Sequence, residues 1–327
     1  MRAMIFGTGS IGRRHVASLR AIDPGAEFLI VRRSGESDDF SRRLGAQVVR
    51  TAVEGIDAGI DLAVIATPSD LHFEPLTAAL AAGIPTFVEK PVVISHGDLD
   101  VLERVAETTL VPTQVGCVLR FLPASSVLKQ WLDEGRAGKV VRATFDVGQY
   151  LPDWRPHQDY RTSYSADSKR GGGVIFDLVH ELDLAVYLFG DCRLAAAIAA
   201  RNSRLELACE DTALLALRAQ DGILVSVALD YVSRAPTRSI RIIGDEATLS
   251  LDFIRCRLER ITAGGITDAI TYGFETDLAY QAELMDLIAA IRAGTATRLP
   301  LREGLRSTRL SIEARELAGI SPNLGGS

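Results

Sequence analysis

At 327 residues the chain is about twice the length of an ordinary domain, which favours two separate cores. Apolar residues make up 47% and charged residues 24%, with 36 Lys and Arg against 42 Asp and Glu, a formal charge of -6. That balance argues against disorder, and its mild acidity argues against a nucleic-acid partner or an anionic membrane surface. The four cysteines, Cys117, Cys192, Cys209 and Cys256, are too scattered for a structural zinc site and read as reduced core thiols of a cytoplasmic protein. There is no apolar run of membrane-spanning length and no signal-peptide pattern at the start.

In chain order, residues 1–120 alternate short apolar runs with helical patterns. The runs cover 3–6, 28–31, 62–66, 86–88 and 111–115, and helical period marks 11–22, 71–82 and 99–108. Buried parallel strands read as continuous apolar runs and their crossovers need helices. The prediction is α/β, a doubly wound Rossmann domain over 1–120.

Residues 121–327 follow another pattern. A helix is predicted over 124–134, where Val127, Leu128, Trp131 and Leu132 recur, and a strand over 140–150. A polar, aromatic-rich stretch covers 151–170 and a helix 173–189. Strand runs then follow at 194–200, 212–217, 224–231, 239–243 and 247–253, with turn signals at Asp221-Gly222 and Gly244-Asp245. Helices at 278–293 and 303–317 come last, and the 321–327 tail is expected to fray. Successive strands without helices between them predict an α+β domain with an open, mainly antiparallel sheet, serving substrate binding and oligomerisation. Leu214, Leu215, Val225 and Val227 alternate unclearly, so both sheet faces are expected to be covered, one by a second copy in a homodimer or homotetramer.

The first strand opens into Gly7-Thr8-Gly9-Ser10-Ile11-Gly12, the G-x-G-x-x-G spacing of a dinucleotide loop. Gly7 permits the turn, Gly9 lets a diphosphate approach, and Gly12 lets helix and strand pack closely. The helix start at Ser10 and Ile11 then offers N–H groups to phosphate. The second strand ends in Arg32-Arg33-Ser34, with no acid where an NAD ribose would find one. Arginines and a small hydroxyl suit a 2′-phosphate, so NADP is preferred over NAD; the other reading leaves both arginines solvated at a strand end.

Thr67-Pro68-Ser69-Asp70-Leu71-His72 and Glu89-Lys90-Pro91 follow two later strands. With the glycine loop, and with Asp177 and His180 after Gly171-Gly172-Gly173, they occur in the order seen in the glucose–fructose oxidoreductase/inositol dehydrogenase/rhizopine-catabolism (Gfo/Idh/MocA) family. The chain resembles that family over its whole length. The resemblance implies an NAD(P)-dependent oxidoreductase of a sugar, nucleotide sugar or cyclitol, with Thr67, Pro68, His72, Glu89 and Lys90 around the cofactor. The histidine lies three residues after Asp177, where many members have four. This spacing resembles a subgroup encountered in bacterial surface-sugar pathways.

The chemistry asks for such groups. Lys90 stands at the carboxyl end of a strand, where its ammonium can stabilise a reacting oxygen, and Pro91 disfavours a helical Lys90. On a continuous helix Asp177, His180 and Glu181 share one face. His180 is the best proton exchanger and Asp177 a substrate-orienting group; the alternative is a helix cap with a core histidine. Trp154, Tyr160, Arg161 and Tyr164 suit a polyhydroxylated or anionic sugar, with Arg120 reaching it from the domain junction, although Trp154 equally suits a packing anchor. His15 is expected to cap or pack on the first helix, and no metal site is expected. The competing function is a non-catalytic dinucleotide-binding sensor or scaffold of the same fold. The redox reading requires Lys90 and His180 to converge on one nicotinamide face.

Overall fold

A computed structural model describes residues 1–273 and 275–320, so the expectation for the 321–327 tail lies outside the described residues. Two units divide the chain. The first holds Met1–Val118 and Thr276–Leu305, and the second holds Leu119–Glu275 and the chain from Arg306 onward.

In the first unit six strands, β1 (Arg2–Phe6), β2 (Glu27–Val31), β3 (Gln47–Val49), β4 (Leu62–Ile65), β5 (Thr86–Glu89) and β6 (Thr113–Gly116), form one sheet in the order β3-β2-β1-β4-β5-β6. Every pairing is parallel, and the chain order reverses between β1 and β4, the doubly wound arrangement. Helices α1 (Ser10–Ile22), α2 (Asp39–Leu44), α3 (Ala52–Asp57), α4 (Phe73–Ala81) and α5 (His96–Thr108) make the crossovers. β1 and β4 are buried almost throughout, which is why their sequences are unbroken apolar runs.

The second unit opens with α6 (Pro123–Asp133) and β7 (Val140–Gly148), then α7 (Val174–Asp177) and α8 (His180–Phe189). Strands β8 (Arg193–Ala200), β9 (Thr212–Arg218), β10 (Leu224–Asp230), β11 (Thr237–Gly244), β12 (Thr248–Asp252), β13 (Arg257–Thr262) and β14 (Gly265–Thr271) complete an eight-stranded sheet ordered β14-β13-β12-β11-β7-β10-β9-β8. Among the described residues of this sheet β7 and β10 pair in parallel and the other neighbours antiparallel. One face is core: Leu215, Val225, Val227, Phe145, Ile240 and Ile242 are buried beneath α6, α7 and α8. Leu214 points the other way, and with Ile198 and Leu224 it is more than half exposed. The alternation that looked unclear in sequence is therefore regular.

Two expectations change. The helix predicted over 173–189 is broken at Leu178 (φ -99°, ψ 31°) into α7 and α8. The last helices are α9 (Thr276–Ala293) and α10 (Leu301–Leu317), and α9 belongs to the first unit rather than to a domain running from 121 to 327. Leu284, Leu287 and Ile288 of α9 join Ile5, Val16, Leu19 and Phe87 in one apolar cluster, and α9 packs against α1 and β6. Among the described residues no helix is long and apolar enough to cross a membrane.

Candidate cofactor and catalytic sites

The glycine loop joins β1 to α1. Gly7 has φ +90°, and a Cβ there would lie 2.5 Å from the Ala66 carbonyl oxygen; a Cβ on Gly12 would lie 2.0 Å from the Gly7 carbonyl oxygen. Gly9 differs: a Cβ there would meet no atom within 4 Å, so the space beside it is open. Gly9 caps α1 without a side-chain hydrogen bond, and the first turn carries no acid. An uncapped helix start facing open space suits an anion.

At the end of β2 the Arg32 guanidinium donates to the Glu36 carbonyl (3.1 Å), Thr8 Oγ1 (3.2 Å) and Asp38 Oδ2 (2.8 Å). Asp38 also caps α2, accepting the Ser41 N–H at 2.8 Å. The Arg32 hydrogen bond, followed by that of Ser41, holds the Asp38 carboxyl well below the ordinary carboxylate range. Arg33 and Ser34 are exposed. Arg32, expected to be free for a 2′-phosphate, is instead held by an acid of its own chain: Asp38 lies six residues beyond it and is brought back to it by the turn before α2.

The other end of the loop system lies past β4 and β5. The Thr67 hydroxyl is buried with no hydrogen-bond partner among the described residues. His72 is fully buried, with Nε2 2.8 Å from the Thr67 carbonyl and Nδ1 3.1 and 3.2 Å from those of Pro91 and Val92. Burial pushes its imidazole below the ordinary value, against the opposing pull of those carbonyls and of Glu89. His72 thus shapes the backbone and does not face a ligand. Glu89, also expected beside the cofactor, is buried, with Oε1 2.6 Å from His15 Nε2 and Oε2 accepting the Lys90 N–H at 3.3 Å. Lys90 is half-buried at the carboxyl end of β5, and the Lys90–Pro91 peptide is cis. Open space at Gly9, an uncapped helix start and an unpartnered Thr67 hydroxyl fit a dinucleotide.

In the second unit Asp177 is 4% exposed and accepts from Tyr164 Oη, Ser165 Oγ (2.7 Å) and Tyr231 Oη (3.0 Å). Burial, then the Asp177 charge, pushes both phenols well above their ordinary value, so they remain donors. His180 begins α8 and is half-buried. Asp177 closes α7 and His180 opens α8, so they do not share the regular helical face expected of them, and Glu181 is held by Arg238 at 2.7 Å. Glu210 fixes the start of α7: its carboxylate accepts the Ile175 N–H, and its oxygens would lie 2.4 Å from a Cβ on Gly173, at φ +104°.

Of the expected sugar contacts, the structure gathers Tyr164 at Asp177, and Trp154 packs edge-on against Tyr231 at 5.4 Å. The others are held elsewhere. Arg120 is 7% exposed and paired with Asp183 at 2.6 Å, so it is a buried structural cation and not a substrate contact. Arg161 is taken up by Asp159 and Glu206, and Tyr160 Oη accepts the Glu206 N–H. Tyr231, Ser165, Glu210 and Asp38 were not singled out from sequence. Each acts through a partner far along the chain or a turn, and only Asp38, directly before a helix, carried a local capping signal.

Known proteins resemble this chain along nearly its whole length. Residues 1–117 match the oxidoreductase family with an NAD-binding Rossmann fold, and residues 126–250 match the GFO/IDH/MocA C-terminal domain. The chain is similar to UDP-N-acetylglucosamine 3-dehydrogenase of Acidithiobacillus ferrooxidans, at 28% identity over 96% of this chain and 98% of that protein. It is also similar to inositol 2-dehydrogenase of Mycolicibacterium smegmatis, at 28% identity over 91% and 86%. Among solved structures, levoglucosan dehydrogenase in complex with NADH and levoglucosan shares the fold, with a TM-score of 0.85 at 19% identity over 98% and 97% of the chains. With both domain models matched in order along one chain, this protein belongs to the GFO/IDH/MocA family and is an NAD-dependent dehydrogenase.

Proposed function

We propose that the protein moves a hydride between NAD(H) and a secondary alcohol or ketone carbon of a sugar, nucleotide sugar or cyclitol. The observation that carries this reading is the pairing, within one parallel sheet, of an uncapped glycine-loop helix with Lys90 at the carboxyl end of β5. The bound nicotinamide supplies hydride acceptance or donation. Lys90 stabilises negative charge on the substrate oxygen, His180 exchanges the hydroxyl proton, and Asp177 orients the substrate from among the hydroxyls of Tyr164, Ser165 and Tyr231. Gly7, Gly9, Ser10, Ile11 and Gly12 hold the diphosphate, and Asp38 rather than a free Arg32 reads the ribose, with Arg33 and Ser34 the remaining groups for a 2′-phosphate. Trp154 and Tyr164 line the sugar side.

The relatives act on UDP-N-acetylglucosamine and inositol, which supports a polyhydroxylated ring as substrate. We assign the protein to the cytoplasm. The outward sheet face carrying Ile198, Leu214 and Leu224 supports a homodimer or homotetramer, and a monomeric mass in solution removes that assignment. The functional test is titration with NAD and NADH, followed by turnover of myo-inositol, UDP-N-acetylglucosamine and D-apiose, read as cofactor absorbance. Binding of neither dinucleotide ends the proposal.

A further inference from the structure

Two buried imidazoles grip the chain on either side of Lys90. On the far side His72 reaches the carbonyls of Pro91 and Val92. On the near side His15, fully buried in α1, places Nε2 2.6 Å from Glu89 Oε1, and Glu89 Oε2 accepts the Lys90 N–H. His15 lies three residues past Gly12 among apolar neighbours, tilted on Phe87 at 4.5 Å and edge-on to Tyr280 at 5.7 Å. An aliphatic side chain would fill that place without the cost of burying a polar ring.

Nδ1 of His15 has no partner among the described residues, so the ring meets its neighbours' polar atoms through Nε2. The space for this contact is kept by Gly116 of β6, opposite Glu89: a Cβ there would lie 3.1 Å from Glu89 Oε1 and 2.9 Å from Phe87 Cζ. A single buried bond therefore ties the helix that follows the glycine loop to the residue before Lys90.

We propose that His15 is a positioning residue for Lys90, acting through Glu89, so that the seat of the dinucleotide and the reach of the ammonium are set together. This rests on the dehydrogenase reading given above. Occupancy at the start of α1 and placement of Lys90 are then coupled through a side chain that touches neither substrate nor cofactor.

The test is carried out on the full chain with NADH as probe. Lys90 is labelled with pyridoxal 5′-phosphate and borohydride, with and without NADH, and the modified peptide is quantified by mass spectrometry. NADH shields Lys90 in the wild type. In His15→Leu the shielding falls by half or more, while the NADH Kd, read by fluorescence, stays within about threefold. In His15→Gln, whose amide keeps a donor for Glu89, the shielding returns. Unchanged shielding in His15→Leu, or a His15→Gln no better than His15→Leu, overturns the assignment, as does loss of NADH binding in step with shielding. If His15→Leu does not fold, Glu89→Leu, which has no acceptor for His15 or for the Lys90 N–H, gives the same readout. A wild type that does not bind NADH overturns the dehydrogenase reading itself; binding with intact shielding in the variants overturns only the role of His15.

Discussion

The Arg32 guanidinium lies 2.8 Å from Asp38, and the same guanidinium donates to Thr8 inside the glycine loop. Arg32 is thus held by an acid of its own chain, and a 2′-phosphate would have to displace that acid. Asp38→Asn is expected to raise the ratio of NADP to NAD affinity by about tenfold, the scale of one charge-assisted hydrogen bond. Parallel titrations with the two cofactors measure it. A ratio that does not move shows that Asp38 has no part in the choice.

Lys90→Met removes the ammonium and keeps the length of the side chain. Turnover should fall by about 100- to 1,000-fold, as when one oxyanion donor is lost, with NADH affinity nearly unchanged. Retained turnover would exclude Lys90 as the group that stabilises the reacting oxygen.

Gly12→Ala puts a methyl group 2.0 Å from the Gly7 carbonyl oxygen. The backbone of the loop must yield, at a cost of about 1–3 kcal/mol in stability. The melting temperature and the NADH titration should both show it. A variant that binds NADH as the wild type does would mean that the loop can shift freely.

Arg120→Leu removes the guanidinium that lies 2.6 Å from Asp183, which is 1% exposed. Breaking such a buried pair costs about 3–5 kcal/mol, because a charge is left in the interior. Denaturant unfolding should show the loss directly. If stability is unchanged and only the KM for the sugar rises, Arg120 is a substrate contact after all.

His72 sets a pH dependence. Its folded-state pKa lies below the ordinary 6.5, chiefly through burial. Between the two values the unfolded chain takes up a proton and the folded chain does not, so stability is full above about pH 6.5 and is lost as pH falls below it. The slope approaches about 1.4 kcal/mol per pH unit. His72→Gln should flatten it in denaturant titrations run from neutral to mildly acid pH. Equal slopes in the two proteins would remove His72 from the acid response.

What could be read from sequence follows from what is local. β1 and β4 announce themselves because every side chain is buried. β14 does not, because all seven of its residues are exposed and no face imposes a pattern. The glycine loop is legible as a spacing, whereas the His15–Glu89 bond spans 74 residues and exists only once β5 lies beside α1. The break between α7 and α8 was hidden for a related reason. Asp177 and Glu181 keep helical spacing in sequence, but the hydroxyls of Ser165 and Tyr231 hold one and Arg238 holds the other.

The placement of α9 has a bearing on how the molecule is made. Leu284, Leu287 and Ile288 close the apolar cluster that includes Ile5 and Leu19, yet synthesis delivers them more than 250 residues after those partners. The nascent Rossmann sheet therefore leaves the ribosome with one flank still bare, and it can be sealed only after the entire intervening unit has been translated. Expressed as an isolated 1–120 fragment, it would keep that flank open to solvent and to chaperones.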